Sequence, residues 1–233
     1  MQATNIERLY GGADPNAEPR YGAAEAARYI KIAPSTIRSW MVGTAYDGGF
    51  FYPLIEPAQK SPLKLAFTNL VEAHVLRALR TEHGLKLPAI RTAIDYAESE
   101  LRVTRLLLHS QLRTDGAELL LDEYSRLINL GRAGQLGIRK VLEEHLKRMV
   151  WDSSGSVSRL LPFVNSVMQS YGAVIAIDPL MSFGKPFIVR RGISTGVIAS
   201  RLDGDESVDS LAYDYGLTVE EIEAAAIYEA AAA

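Results

Sequence analysis

Apolar residues return at helical spacing in several separate stretches of this chain, and the gaps between them carry turn residues. Residues 21–42 predict two short helices around a turn at Lys31–Pro34. Residues 43–64 are rich in Gly and Pro and include the extended run Phe50–Ile55, which predicts a β-hairpin or wing. A helix is predicted from Asn69 to Glu82, with Asn69 as its cap, Glu72 at the third helical position and Gly84 beyond its end. Pro88 suits the first turn of the next helix, which runs to about Leu101. Residues 103–121 read as two short strands around the turn Thr114-Asp115-Gly116.

Gln135 to Val150 carries the strongest amphipathic stripe. Ile138, Val141, Leu142, Leu146, Met149 and Val150 share one face, and Glu143–Lys147 and Glu144–Arg148 sit four apart on the other. The stripe can pack within its own domain or form a dimer seam. Asp152–Gly155 is polar and reads as the start of a linker. Ala173–Ile177 is strand-like, residues 179–202 are short strands or turns, and residues 206–230 are two helices around Gly216-Leu217. The fold class expected is mainly α with small β elements.

Two of these segments share one pattern. A helix-turn-helix wants a small residue in its first helix, glycine four residues later, an apolar residue next, and two apolar plugs in its second helix. Ala27, Lys31, Ile32, Ile37 and Trp40 fill those positions in the first segment; Ala212, Gly216, Leu217, Ile222 and Ala225 fill them in the last. Charge separates the two. Around the first second-helix stand Ser35, Thr36, Arg38 and Ser39, with Arg28 and Lys31 nearby, a set able to contact phosphates and base edges. The last second-helix exposes Glu220, Glu221 and Glu223, and no basic residue follows Arg201, so phosphates would be repelled. Thr218 and Glu221 have capping-box spacing there. Between the two segments, Pro179 to Leu202 holds Lys185, Arg190, Arg191 and Arg201 and no acid. That stretch is either a solvated surface with compensating salt bridges or a partner-binding face.

Composition narrows the function classes. The chain has 233 residues, a net charge of −3 and no cysteine, so disulfides and thiolate metal sites are excluded. Any nucleic-acid contact must come from local charge, because the total is not basic. No signal peptide or membrane-spanning run is evident, which predicts a cytoplasmic location and no membrane partner. His74, His83, His109 and His145 are dispersed, without zinc spacing, and are expected in ordinary packing or surface roles. Gly131, Gly134 and Gly137 precede a helix without completing a phosphate loop. No nucleophile–base–acid set stands out, so neither enzymatic activity nor a cofactor or metal is expected.

Two stretches carry family resemblances. YGAAEAARYIKIAPSTIRSW and LAFTNLVEAHVLRALRTEHGLKLPAIRTAIDYA, within residues 21–101, resemble the winged helix-turn-helix of MerR-like regulators, with Thr36, Arg38 and Trp40 where those families place the reading helix. IDPLMSFGKPFIVRRGISTGVIASRL and LAYDYGLTVEEIEAAAIYE, within residues 173–230, resemble the DUF433 domain. The whole chain is similar to long antitoxins that join a MerR-like head to a DUF433 tail. This implies a flexible arm (1–19), a winged helix-turn-helix (20–102), a connecting or dimerisation region (103–155) and a DUF433-like domain (156–233). It also implies an antitoxin and autorepressor of a type II toxin–antitoxin operon, binding operator DNA as a homodimer through Arg28, Lys31, Ser35, Thr36, Arg38 and Ser39. The implied partner is a PIN-like ribonuclease, whose acidic metal cluster would receive cations such as Lys185, Arg190, Arg191 and Arg201. The competing expectation is a ligand-responsive MerR-like regulator without a toxin, with its pocket in residues 103–170.

Overall fold

The computed structural model describes residues 13–81, 86–102, 105–108, 147–162 and 173–230. The strands expected in 109–121, the glycine triplet, most of the helix expected from Gln135, and His83, His109 and His145 lie outside them. Among the described residues the fold is a mixture of helices and small antiparallel sheets.

Strand β1 (Tyr21–Gly22) leads into α1 (Ala23–Ile30). Lys31, at φ 56°, turns the chain left-handed, and α2 (Pro34–Val42) follows with proline in its first turn. Strands β2 (Thr44–Tyr46) and β3 (Gly49–Phe51) form a hairpin on the two-residue turn Asp47-Gly48. Strands β4 (Gln59–Lys60) and β5 (Leu63–Leu65) form a second, and β5 also pairs with β1, Tyr21 opposite Leu65. The glycine-rich segment is therefore two hairpins.

Helix α3 (Phe67–Thr81) begins before Asn69, so Asn69 is not its cap. Asn69 sits at the third helical position instead, and its Oδ1 accepts the Ala66 backbone N–H at 3.0 Å, the back-bond of a capping box. Its amide nitrogen donates to Glu72, which is buried and held by Arg105 at 2.7 Å. Helix α4 (Leu87–Leu101) follows. Leu106–Leu108 form a 3-10 turn, not part of a strand.

The predicted helix does not extend to Val150. Met149–Trp151 is strand β6, paired with β7 (Val157–Leu160). Asp152–Gly155, expected to open a linker, is the turn of this hairpin: Asp152 Oδ1 accepts the Ser154 and Ser156 N–H groups, both at 2.9 Å. Leu160 then bridges Ile177, and Met149, Val157, Leu160 and Ile177 join the same core as Ile30, Ile37, Trp40 and Leu76.

The C-terminal unit opens with a three-stranded antiparallel sheet of β8 (Ile175–Ala176), β9 (Phe187–Ile188) and β10 (Ile193–Ser194), with β9 in the middle. Helices α5 (Thr195–Asp203), α6 (Val208–Tyr215) and α7 (Val219–Ala230) cover it. Its own core gathers Ile188, Ile198, Leu211, Leu217, Ile222 and Ala225. No helix among the described residues is long and apolar enough to cross a membrane.

Candidate functional site

Both helix-turn-helix patterns fold as helix pairs on left-handed turns. In the first, Ala27 and Ile37 are fully buried and Trp40 nearly so, and the Ile32 N–H reaches back to the Ala27 carbonyl at 3.0 Å. In the second, Gly216 takes the turn at φ 60°, the Leu217 N–H reaches the Ala212 carbonyl at 2.9 Å, and Ile222 and Ala225 are buried. The left-handed turn costs glycine little and lysine more, so Lys31 is held there by other contacts.

Helix α2 exposes Ser35 and Arg38 and half-buries Thr36 and Ser39, while Ile37, Trp40 and Met41 face the core. Ser39 Oγ accepts the Thr44 hydroxyl at 2.8 Å, which ties the helix to the hairpin. At Gly43, φ 82°, an added Cβ would stand 2.4 Å from the Phe51 carbonyl oxygen, so helix and hairpin approach closely there. No acidic residue lies in the first turn of α2. The hairpin itself exposes Tyr46, Phe50, Phe51 and Tyr52, with Tyr46 stacked on Phe51 at 4.3 Å between centroids.

The structure divides the six residues grouped in the sequence around DNA. Ser35, Thr36, Arg38 and Ser39 share α2. Arg28 and Lys31 turn toward the C-terminal unit. Arg28 pairs with Glu229 at 3.2 Å. Lys31 Nζ donates to the Tyr228 carbonyl and lies 3.9 Å from the centre of the Tyr228 ring. Burial lowers the Lys31 amine to about 8. The Tyr228 hydroxyl, fully buried, donates to the Tyr29 carbonyl at 2.7 Å. Glu229 also accepts from Thr195 at the start of α5. A seam of Arg28, Tyr29, Lys31, Tyr228 and Glu229 thus joins α1 of the head to α7 of the C-terminal unit. Sequence reasoning missed it. Its one local signal was Tyr228, which continues the Ile222–Ala225 stripe by three more residues.

The four cations of the acid-free stretch are placed differently from one another. Arg190 grips Glu221 at 2.7 Å, and this contact is what first holds the Glu221 carboxyl below its usual range. Glu221 still completes the capping box, accepting the Thr218 N–H at 2.8 Å. Arg201 pairs with Glu206 and with Asp214, the latter at 2.8 Å. Arg191 donates to the Gly216 carbonyl at 3.3 Å. Lys185 is exposed and has no carboxylate partner among the described residues. Compensating salt bridges, one of the two readings of this stretch, account for Arg190 and Arg201. In the head, Ile55, Asn69, Glu72, Ile94 and Arg105 help to line a cleft of about 660 Å³. Among the described residues no group of acidic, histidine or cysteine side chains is placed to hold a metal ion.

Comparison with known proteins adds to this geometry. Residues 175–228 match the model of a family described as "Protein of unknown function (DUF433)". Over 227 residues, 88% of this chain and 91% of the other, the sequence is 26% identical to the protein named "Putative antitoxin VapB45" of Mycobacterium tuberculosis (strain ATCC 25618 / H37Rv). It is 24% identical over 217 residues to "Uncharacterized protein Rv2308" of the same strain, with 89% of each chain covered. The crystal structure of Rv2018 from Mycobacterium tuberculosis, 22% identical, has the same fold, with a TM-score of 0.66 across 89% of this chain and 97% of that one. Over most of its length the chain is thus similar to a protein named "Putative antitoxin VapB45", and residues 175–228 of its C-terminal unit match the DUF433 model.

Proposed function

We propose that this protein is a DNA-binding antitoxin that represses the operon it shares with a PIN-like ribonuclease toxin. The observation that carries the reading is the similarity to an antitoxin-named relative, which spans both the head and the C-terminal unit. The head, residues 20–102, serves as a MerR-like winged helix-turn-helix, with β2–β3 as its wing. It binds operator DNA in a homodimer, because one short helix gives limited affinity and operators repeat with two-fold symmetry. Helix α2 enters the major groove with Ser35 and Arg38 outermost and Thr36 and Ser39 beside them. Arg28 and Lys31 act from behind, holding the reading unit against the C-terminal helix.

The C-terminal unit, within residues 156–233, takes the toxin. Its acid-free stretch offers Lys185, which lacks a carboxylate partner among the described residues, and Arg191, which donates to the Gly216 carbonyl and forms no direct ion pair among them, ahead of Arg190 and Arg201, which do. The protein acts by binding and not by catalysis, and works in the cytoplasm.

The test uses the whole chain, because separate halves would each expose the seam. Wild type should shift a promoter fragment taken from upstream of its own gene and should restore growth to cells expressing the neighbouring reading frame. Arg38→Ala should weaken the shift by about 1–3 kcal/mol and leave growth rescue intact. Rescue without any promoter binding would remove the head from DNA, and promoter binding without rescue would remove the toxin. The cleft beside Glu72 and Arg105 favours a second reading, a ligand-responsive regulator, for which a small molecule would alter the promoter shift with no toxin present.

A further inference from the structure

The C-terminal unit holds an aromatic side chain where packing gives it no reward. Ser182, Phe183 and Gly184 follow one another in the left-handed region, with φ of 45°, 56° and 76°. That conformation is free for glycine and unfavourable for serine and phenylalanine. Phe183 is nonetheless 90% exposed, and neighbouring Leu180 is 49% exposed.

The loop is braced from every side. Ser182 Oγ donates to the Gly192 carbonyl at 2.7 Å, and the Lys185 N–H closes the turn onto the Ser182 carbonyl at 3.0 Å. From the head, the Tyr21 hydroxyl donates to the Gly184 carbonyl at 3.0 Å and Arg20 donates to the Pro179 carbonyl at 2.8 Å. An added Cβ on Gly184 would stand 2.5 Å from the Tyr21 hydroxyl, so the left-handed run is locked against the head. Asp178, paired with Arg159 at 3.0 Å, accepts the Leu180 N–H at 2.9 Å. This framework fixes the backbone that presents a phenyl ring, and the ring adds nothing to either core. A strained, braced loop around an exposed aromatic side chain is what a partner's pocket uses, since the ordering of the loop backbone has already been met by the fold.

Charge selects the partner. No acid lies between Pro179 and Leu202, and Lys185, two residues from Phe183, is exposed and unpaired with any described carboxylate. DNA fits less well: Glu220 and Glu223 are exposed on α7 of the same unit, and Arg190 and Arg201 are already held by carboxylates. We propose that Phe183 is the anchor of a protein-docking surface, seated in an apolar pocket with an acidic rim on the toxin. This rests on the antitoxin reading and names its contact.

The experiment titrates the full chain against the purified product of the adjacent reading frame by calorimetry. Phe183→Ala and Phe183→Gly should each weaken binding at least about thirtyfold. Phe183→Gly should melt no lower than wild type, because glycine takes the left-handed conformation without steric cost. Lys185→Glu should weaken binding and reduce its salt dependence. Tyr213→Ala, which removes an equally exposed ring (89%) on α6, should bind as wild type does. Wild type binding with Phe183 variants within twofold of it overturns the anchor and leaves the antitoxin reading standing. Failure of wild type to bind overturns both. Unchanged toxin affinity with a lower molecular mass by light scattering would give Phe183 to a second copy of the chain, and unchanged toxin affinity with a weaker promoter shift would give it to DNA; either result overturns the proposal.

Discussion

Replacing Tyr228 by phenylalanine isolates the hydrogen bond at the centre of the head–tail seam. Tyr29 lies in the last turn of α1, where carbonyls have no donor from their own helix. The chain leaves that helix at once through the left-handed Lys31, and the donor to the Tyr29 carbonyl is the Tyr228 hydroxyl, 2.7 Å away and 199 residues on. Tyr228→Phe keeps the ring, so no cavity opens and Lys31 keeps its aromatic neighbour. What is lost is one buried bond, worth about 1 kcal/mol net, plus part of the desolvation of a carbonyl left unpaired. Together these predict a loss of about 1–2 kcal/mol. For a chain of this size each kcal/mol moves the melting point by about 2–4 °C. Urea unfolding should show a lower midpoint with an unchanged slope, since the same surface is exposed on unfolding. Combining Tyr228→Ala with Lys31→Met should give a non-additive result, because both residues act through one contact. A Tyr228→Phe protein as stable as wild type, within about 0.3 kcal/mol, would refute the claim that this hydroxyl satisfies the helix end.

Two further outcomes are expected. Trp40→Ala should cost about 3–5 kcal/mol and disrupt the head, because the ring is almost wholly buried beneath α2; an unchanged melt with lost promoter binding would instead make Trp40 a contact residue. Lys31 sits at about 8 in the folded chain against an ordinary value of 10.5, so folding releases its proton early and stability should rise from about pH 8 toward 10.5. Tyr29 and Tyr228, both raised chiefly by burial, keep their protons in the folded chain and oppose that rise above pH 10. The stability of wild type relative to Lys31→Met should therefore increase between pH 8 and 10, and a difference flat across that window in urea titrations would rule out this role for Lys31.

The two helix pairs were legible in the sequence because their signals are local. Ala27, Ile37 and Trp40, like Ala212, Gly216 and Ile222, fall at offsets fixed by the helix period and a left-handed turn; the structure buries Ala27, Ile37, Trp40 and Ile222, half-buries Ala212 and turns the chain at Gly216. Failures came where distant chain decided the outcome. Met149 and Val150 extend a helical stripe, yet they pair with Leu160 and Arg159 across the Asp152 turn, and strand pairing overrides helical spacing. Asn69 carries a capping side chain but begins no helix, because Phe67 and Thr68 are already helical. Among the candidate site residues, Arg38 and Ser35 could be placed outward from periodicity alone. The destinations of Lys31, Arg28 and Arg190 could not, because Tyr228, Glu229 and Glu221 lie 31 to 201 residues away.

The seam also sets an order of events during synthesis. Residue 29 leaves the ribosome about 200 residues before its partner at 228. At roughly 5–20 residues per second, α1 waits about 10–40 s for the helix that completes its last turn. Throughout that interval the head lacks the contacts of Arg28, Tyr29 and Lys31, and its first helix stays open to chaperones and proteases. A translation product that stops a few residues short of Tyr228 would retain every helix of the head and still never close it. The last turns of α7 thus complete a helix end made about 200 residues earlier.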